Sequence, residues 1–193
     1  MMKLMRLLLP LCVSTVLLAA GESIPAQPRS LVIDPAQTKM EFTLGSLLHT
    51  VHGDFHLKRG TLSFDPGSGR ASGELVVDAT SGESGNASRD KKMHAAILES
   101  AKYPEISFRP DRVDGKVAPE GKSQVQLHGV FAIHGVEHEI LLPVTVDAAA
   151  GQYNVTTTFE VPYVKWGMKN PSTLMLRVDD KVEIIIHSVA HTM

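Results

Sequence analysis

Histidines are the side chains of this chain best suited to acid–base or metal chemistry. Two groups are close in sequence: His134 with His138 and Glu139, and His49 with His52 and His56. On a strand, His52 and His56 share a face, but His49 does not. Neither group has the His-Glu-x-x-His spacing or a cysteine partner that would indicate a metal site. We therefore predict no metal site, and a metal-dependent or other enzyme that uses surface histidines stays an alternative function.

Covalent catalysis and nucleotide binding have no recognisable motif here. The chain contains no Gly-x-Ser-x-Gly sequence, and its single cysteine, Cys12, lies in the N-terminal segment. Gly67-Ser68-Gly69 is typical of a hairpin turn rather than of a phosphate-binding loop. We predict no catalytic residues, and a protein that is not an enzyme.

A segment near the C-terminus combines aromatic rings with cations: Tyr163, Lys165, Trp166 and Lys169. Amphipathic rings suit the boundary between an apolar site and water, and a lysine can meet a phosphate as a point charge. These residues are therefore candidates for contact with a polar head group. The alternative is a corner of the fold in which Trp166 is simply packed.

One amphipathic helix is predicted over residues 88–103. Met93, Ala96, Ile97 and Ala101 share its apolar face. Ser88 can cap its first turn, and Tyr103-Pro104 would end it. Arg89 and Asp90, at its start, either bind a head group or hold the loop and helix together by hydrogen bonds.

The rest of the chain is predicted to be β-structure. Apolar residues alternate with polar ones around residues 40–44, 62–64, 73–80, 105–113, 125–133, 140–146, 155–163 and, less regularly, 174–186. Eight antiparallel strands can stack as a sandwich or close into a barrel, and closure removes exposed edges. A barrel of this size is either filled by side chains or holds one small ligand. Periodicity leaves both possibilities open.

The N-terminus resembles a secretory signal. Lys3 and Arg6 precede an apolar run from Leu7 to Ala20, which is followed by Gly21. We predict a signal peptide over 1–21, a flexible lead-in over 22–30 and one domain over 31–193. Removal of the signal moves the formal net charge from −2 to −4 and leaves no cysteine. These features favour a periplasmic protein and argue against nucleic-acid binding.

Several short motifs, in order, resemble the YceI-like family. They are Lys39–Thr43, Val51–Phe55, Gly60–Asp65, Arg89-Asp90, Tyr103–Phe108, Val125–Gly129 and Ile133–Val136. The segment between Arg89-Asp90 and Tyr103-Pro104 departs from the family, which often carries a pair of aromatic residues there. In this chain the segment contains none.

The resemblance implies an all-β fold: an eight-stranded antiparallel lipocalin-like barrel with one amphipathic helix between strands 3 and 4. It also implies an exported carrier that binds a polyisoprenoid or similar amphiphilic lipid, without another cofactor. Transient contact with a membrane or a lipid donor would accompany that role. The predicted ligand contacts are Phe42, Phe55, Phe64, Met93, Ile97, Phe108, Phe131, Phe159 and Trp166, and the head-group candidates are Arg89, Tyr163, Lys165 and Lys169. The alternative to a carrier is a filled barrel that acts as an interaction or stress-response module.

Overall fold

Alternation of apolar and polar residues is realised as nine strands in the computed structural model, which describes residues 28–193. They are β1 (Arg29–Ile33), β2 (Lys39–Leu44), β3 (Val51–Phe64), β4 (Ala71–Glu83), β5 (Glu105–Asp114), β6 (Gly121–Ile133), β7 (Val136–Ala149), β8 (Gln152–Val161) and β9 (Val182–Thr192). The predicted signal peptide over 1–21 lies outside the described residues. β1 takes in the last two residues of the predicted lead-in.

The strands close into an antiparallel barrel. From β2 to β9 each strand pairs with the next, and β9 returns to pair with β2. β1 and β2 share one position in the wall, because both pair with β3 and both pair with β9. The barrel therefore has eight strand positions, and the predicted eight-stranded antiparallel barrel is confirmed.

The predicted place of the helix is wrong by one strand, because the helix lies between β4 and β5 rather than between strands 3 and 4. The cause is a break in the first wall strand. Pro35 has no backbone N–H to give to a ladder, and the Asp34 carboxylate accepts a hydrogen bond from the Ala36 N–H at 2.9 Å. A turn of 3₁₀-helix over Pro35–Gln37 separates β1 from β2.

The helix is shorter than predicted. α1 spans Ala87–Lys92 and continues as a π-helical turn over Met93–Ile97. Asn86 rather than Ser88 is the N-cap, since the Asn86 side chain accepts from the Arg89 N–H at 3.1 Å. Soon after the π-helical turn, Glu99 adopts a φ of 47° and cannot continue a right-handed helix. None of the helices within residues 28–193 is long and apolar enough to cross a membrane.

The two ends of the barrel differ in their connections and in their interior. We call one end the packed half; its buried side chains are Leu31, Ile33, Phe64, Val113, Val125, Val144, Val146, Ala148, Tyr153 and Ala190. Its connections include the two-residue turn Ala150-Gly151, where both residues have positive φ. The other end, the hollow half, carries the two long connections 84–104 and 162–181, together with the six-residue loop 45–50 and the two-residue turn His134-Gly135.

Candidate ligand cavity

The hollow half contains a cavity of about 580 Å³. This volume lies within the range of roughly 300–1,000 Å³ that small-molecule sites occupy. Its apolar lining consists of Met40, Phe42, Leu44, Val51, Phe55, Val77, Met93, Ile97, Leu98, Ile106, Phe131, Ile133, Phe159, Val161, Tyr163, Met168, Pro171, Leu176, Val178, Val182, Ile184 and Ile186. Such a lining suits a hydrocarbon and offers little to a polar ligand.

The polar lining residues come from loops, the helix region and one strand. They are Glu41, Ser46, His49, Ser84, Asn86, Ser88, Arg89 and Lys92. Glu41 forms an ion pair with Lys39 at 2.8 Å. Arg89 and Lys92 both belong to α1, so the cationic part of the lining lies beside the helix.

Arg89 is held in place by Ser84. Its Nε donates to Ser84 Oγ at 2.7 Å and its Nη2 donates to the Ser84 carbonyl at 2.8 Å. The Asp90 carboxylate accepts from both the N–H and the hydroxyl of Ser84. These bonds join the loop to the first turn of the helix, and they also fix the guanidinium of Arg89, a residue that lines the cavity.

The α1 region is fastened over the cavity from two sides. Lys92 Nζ donates to the Pro171 carbonyl at 3.1 Å, which connects α1 to the β8–β9 loop. On the other side, the His94 ring lies 2.8 Å from the Gly82 carbonyl and 3.0 Å from Ser100 Oγ. The α1 region is therefore bonded to the β8–β9 loop at Pro171 and to β4 at Gly82.

Two glycines make room for aromatic rings at the cavity wall. A Cβ on Gly53 would clash with the ring of Phe42, and a Cβ on Gly82 would clash with the ring of Phe55. Because each ring lies against bare backbone, it occupies less of the interior than it would beside a larger residue. Sequence reasoning selected the two phenylalanines but missed these glycines, whose signal is a glycine inside a strand pattern.

A cluster of four rings supports the wall on the β6–β7 side. The ring centroids of Phe131 and Phe159 are 6.1 Å apart, and those of Phe131 and Trp166 are 5.8 Å apart. Trp166 stacks on His138 at 4.0 Å with an interplanar angle of 7°. His138 Nε2 is buried without a hydrogen-bond partner in the described part of the chain. Burial lowers the pKa of His138, which favours the neutral ring.

Tyr163 lines the cavity from the start of the β8–β9 loop and is bonded to the end of the same loop. Its hydroxyl donates to the Asp179 carbonyl at 2.6 Å. Burial, with a smaller contribution from Asp180 and Asp179, raises the pKa of Tyr163 to about 12. The hydroxyl therefore remains a donor at physiological pH.

The structure brings six of the nine predicted ligand contacts together around the cavity: Phe42, Phe55, Met93, Ile97, Phe131 and Phe159. The other three lie elsewhere. Phe64 belongs to the packed half, and Phe108 is a buried core residue whose ring covers Gly129. Trp166 is not part of the lining and contacts Phe131, which is. Parity alone could not separate these residues from the lining: Phe108 and Phe131 are paired across neighbouring strands, yet only Phe131 lines the cavity.

The head-group candidates also separate. Arg89 and Tyr163 line the cavity, whereas Lys165 and Lys169 are exposed and outside it. The lining residues Met168, Leu176 and Val178 were not selected from the sequence. Leu176 and Val178 alternate with Leu174 as in a strand, and nothing in that pattern indicates that the segment borders a cavity. The expected strand character of 174–178 is absent, apart from one bridge between Ser46 and Val178.

The histidines do not assemble with acids into a metal-binding group in residues 28–193. His134 Nε2 lies 2.7 Å from Glu99 Oε2, and the His134 ring lies against Tyr103 with centroids 4.7 Å apart. The His138 ring stacks on Trp166, and His52 Nδ1 lies 3.1 Å from Thr43 Oγ1. His49 is the histidine that lines the cavity.

Comparisons with known proteins agree with this geometry. The model of the YceI-like domain matches residues 31–190. No curated protein matches the chain by sequence.

Three solved structures illustrate the similarity of the fold. Burkholderia cenocepacia BcnA is 18% identical, with a TM-score of 0.67 over 81% of this chain and 98% of that one. A polyisoprenoid-binding domain from Saccharophagus degradans, implicated in plant cell wall breakdown, is 14% identical, with a TM-score of 0.66 over 86% and 99%. The Campylobacter jejuni YceI protein is 15% identical, with a TM-score of 0.53 over 95% and 91%. At these identities the structural likeness establishes the fold.

Proposed function

The chain belongs to the YceI-like family, and we propose that it binds a long-chain amphiphilic lipid of the polyisoprenoid type in its cavity and carries it without chemical change. The observation that carries the proposal is the cavity of about 580 Å³ with an apolar wall. The similar structure from Saccharophagus degradans is a polyisoprenoid-binding domain, which supports the choice of ligand class.

The energetics favour a hydrocarbon tail. Each methylene-sized group that moves from water into an apolar site gains about 0.8 kcal/mol. The strand residues of the wall, such as Ile106, Ile184 and Ile186, offer no hydrogen bond to a ligand. A polar ligand would lose its bonds to water in that part of the cavity, whereas a branched hydrocarbon loses none.

The position of the cations orients the ligand. Arg89 and Lys92 line the cavity on α1, and Ser84 already orients the Arg89 guanidinium. We place an anionic head, a phosphate or a carboxylate, beside these two residues. The tail then lies along Phe42, Phe131 and Phe159.

A periplasmic location is part of the proposal. The sequence pattern of residues 1–21, with Lys3 and Arg6 before an apolar run, supports export. A chain without cysteine beyond Cys12 is compatible with an oxidising compartment, since it has no thiol to protect there.

The first test is mass spectrometry of an organic extract of the protein, purified gently from a bacterial periplasm. We expect a stoichiometric long-chain lipid with an anionic head. A lipid-free protein that also ignores added prenyl phosphate would overturn the proposed function.

Substitution of Phe131 then tests the site. Phe131→Asp puts a carboxylate into the apolar wall, and we expect the folded variant to be recovered without lipid. Leu141→Asp is the matched control, because Leu141 is 54% exposed and lies outside the lining. Should Phe131→Asp fail to fold, Ile184→Phe would reduce the cavity with an apolar residue. Undiminished lipid retention in folded protein of either variant contradicts the assignment.

A further inference from the structure

Exposed apolar side chains are concentrated on two loops of the hollow half. Four of them stand out in the described part of the chain: Leu47 at 72%, Leu48 at 73%, Leu174 at 103% and Met175 at 87% exposure. Val32 at 42%, Val136 at 45% and Leu141 at 54% are less exposed and lie on strands, and Met193 at 77% lies alone after β9. Large apolar side chains are therefore more exposed on these two loops than on the strands of the barrel.

The two loops form one surface. The Leu47 N–H donates to the Arg177 carbonyl at 2.9 Å, and the Asp179 N–H donates to the Gly45 carbonyl at 3.0 Å. Ser46 and Val178 form a β-bridge between these bonds. We call residues 45–50 together with 171–179 the mouth platform.

Hydrogen bonds hold Leu174 and Met175 outward on the platform. The Thr173 N–H donates to the Leu176 carbonyl at 2.8 Å, which closes a tight turn around both residues. The Val178 N–H donates to Ser172 Oγ at 2.8 Å and braces the base of the turn. The apolar tips are therefore presented by a defined turn rather than by a loose loop.

The platform is continuous with the cavity. Ser46, His49, Leu176 and Val178 belong to it and also line the cavity. The apolar tips consequently lie beside the opening rather than at a distance from it. A surface that covered the tips would also face the entrance.

The charge around the platform is the opposite of the charge of the whole chain. The β8–β9 loop, residues 162–181, contains four cations, Lys165, Lys169, Arg177 and Lys181, and two acids, so its formal charge is +2, whereas the chain carries −2. All four cations are exposed, and Lys92 is bonded to the platform at Pro171. Asp179 and Asp180 follow where the loop returns to β9. Exposed cations beside apolar tips are complementary to an anionic lipid surface.

From the geometry we infer that the mouth platform docks on a bilayer containing anionic phospholipid, with Leu47, Leu48, Leu174 and Met175 inserted at the level of the head groups. A second copy of the chain is a poorer occupant, because a stable dimer needs a closely packed area of about 800 Å² from each partner and two protruding turns do not offer it. The inference concerns the outer surface of the loops, and it goes beyond the proposed cargo.

Flotation with lipid vesicles tests the inference. The full chain without its predicted signal is mixed with vesicles of equal parts phosphatidylcholine and phosphatidylglycerol, and separately with phosphatidylcholine alone. We expect flotation with the anionic vesicles and little with the neutral ones. Leu174→Ser with Met175→Ser should weaken flotation roughly tenfold or more, because each serine removes most of an inserted apolar side chain.

The matched control is Val32→Ser with Leu141→Ser, which removes two exposed apolar side chains from strands, one of them at the packed end of the barrel. It should float like the unaltered protein. The inference is overturned if the unaltered protein does not float, or if both double variants float equally well. It is also overturned if light scattering shows a dimer that only the platform variant converts to a monomer, since the surface would then cover a second copy.

Lipid extraction of the same variants separates the two proposals. If the platform variant no longer floats but still retains its lipid, the substitutions have changed the docking surface and not the cavity. Flotation without any bound or acceptable cargo contradicts the proposed function and leaves the docking intact.

Discussion

The packed half and the hollow half of the barrel use the same strands and the same alternation, yet their interiors differ. In the packed half Phe64 is 5% exposed and Tyr153 is 5% exposed, and neither borders open space. In the hollow half Phe131 and Phe159 lie on a wall around about 580 Å³ of open space. Strand periodicity therefore decides which residues face inward, but it does not decide whether side chains from opposite walls fill the interior.

Connections and glycines account for much of the difference. Ala150-Gly151 joins β7 to β8 by a two-residue turn at the packed end. At the hollow end the β4–β5 connection carries a helix across the opening, and the β8–β9 connection turns back to meet the β2–β3 loop. Gly53 and Gly82 let the rings of Phe42 and Phe55 lie against the wall. The open space in this barrel therefore depends on the connections between strands and on wall glycines, in addition to the apolar residues themselves.

Truncation of one phenylalanine in each half should give the largest contrast. Phe64→Ala creates a new cavity in a filled region and should lower the free energy of unfolding by about 3–5 kcal/mol. Phe159→Ala enlarges space that already exists and should cost clearly less. Urea unfolding of the lipid-free proteins measures both values. Equal losses would mean that the two halves are packed alike.

Enlargement of a side chain should reverse the contrast. Val144→Phe overfills the packed half and should destabilise the protein by about 1–3 kcal/mol. Ile184→Phe projects into the cavity, so its cost should be smaller, and lipid retention should fall. Thermal unfolding together with lipid extraction checks both expectations. A larger loss of stability for Ile184→Phe would contradict the position of the cavity.

The smallest expected effect is a pH dependence that belongs to the hollow half. Burial lowers the pKa of His138 in the folded protein, so the unfolded chain takes up a proton first as the pH falls below about 6.5. Stability from the neutral ring is therefore present above that pH and is lost below it, as the pH approaches the lowered pKa. His138→Phe keeps a ring against Trp166 and should flatten the acid side of the stability profile. Parallel profiles for the two proteins would exclude His138 as the cause.

The fold was largely predictable because its signals are local. Alternation predicted the barrel strands, and shared motifs predicted the family. The place of the helix in the strand order was wrong because of Asp34-Pro35, where a side-chain hydrogen bond and a missing donor break one wall strand into β1 and β2. Ser88 was predicted as the N-cap, whereas the structure has Asn86 in that position. Both residue types can cap a helix, and only the backbone conformation shows which one does.

The candidate site was only partly predictable. Phe42 and Phe64 both follow the alternation of their strands, yet one lines the cavity and the other fills the opposite end. Leu176 and Val178 alternate with Leu174 but lie in a loop, and Met168 has no period that could mark it. The mouth platform depends on hydrogen bonds between loops that are more than 120 residues apart in the chain.

By itself, the sequence determined that the domain is an antiparallel barrel, which faces of its strands are apolar and which family it belongs to. These properties follow from the period of two and from short motifs, both of which act between neighbours in the chain. Only the tertiary structure decided that one half is hollow, that Arg89 and Lys92 line the same cavity and that two apolar turns meet beside its opening. Those properties depend on distances between opposite walls and between remote loops. Closure of the barrel sets such distances, and no local pattern encodes them.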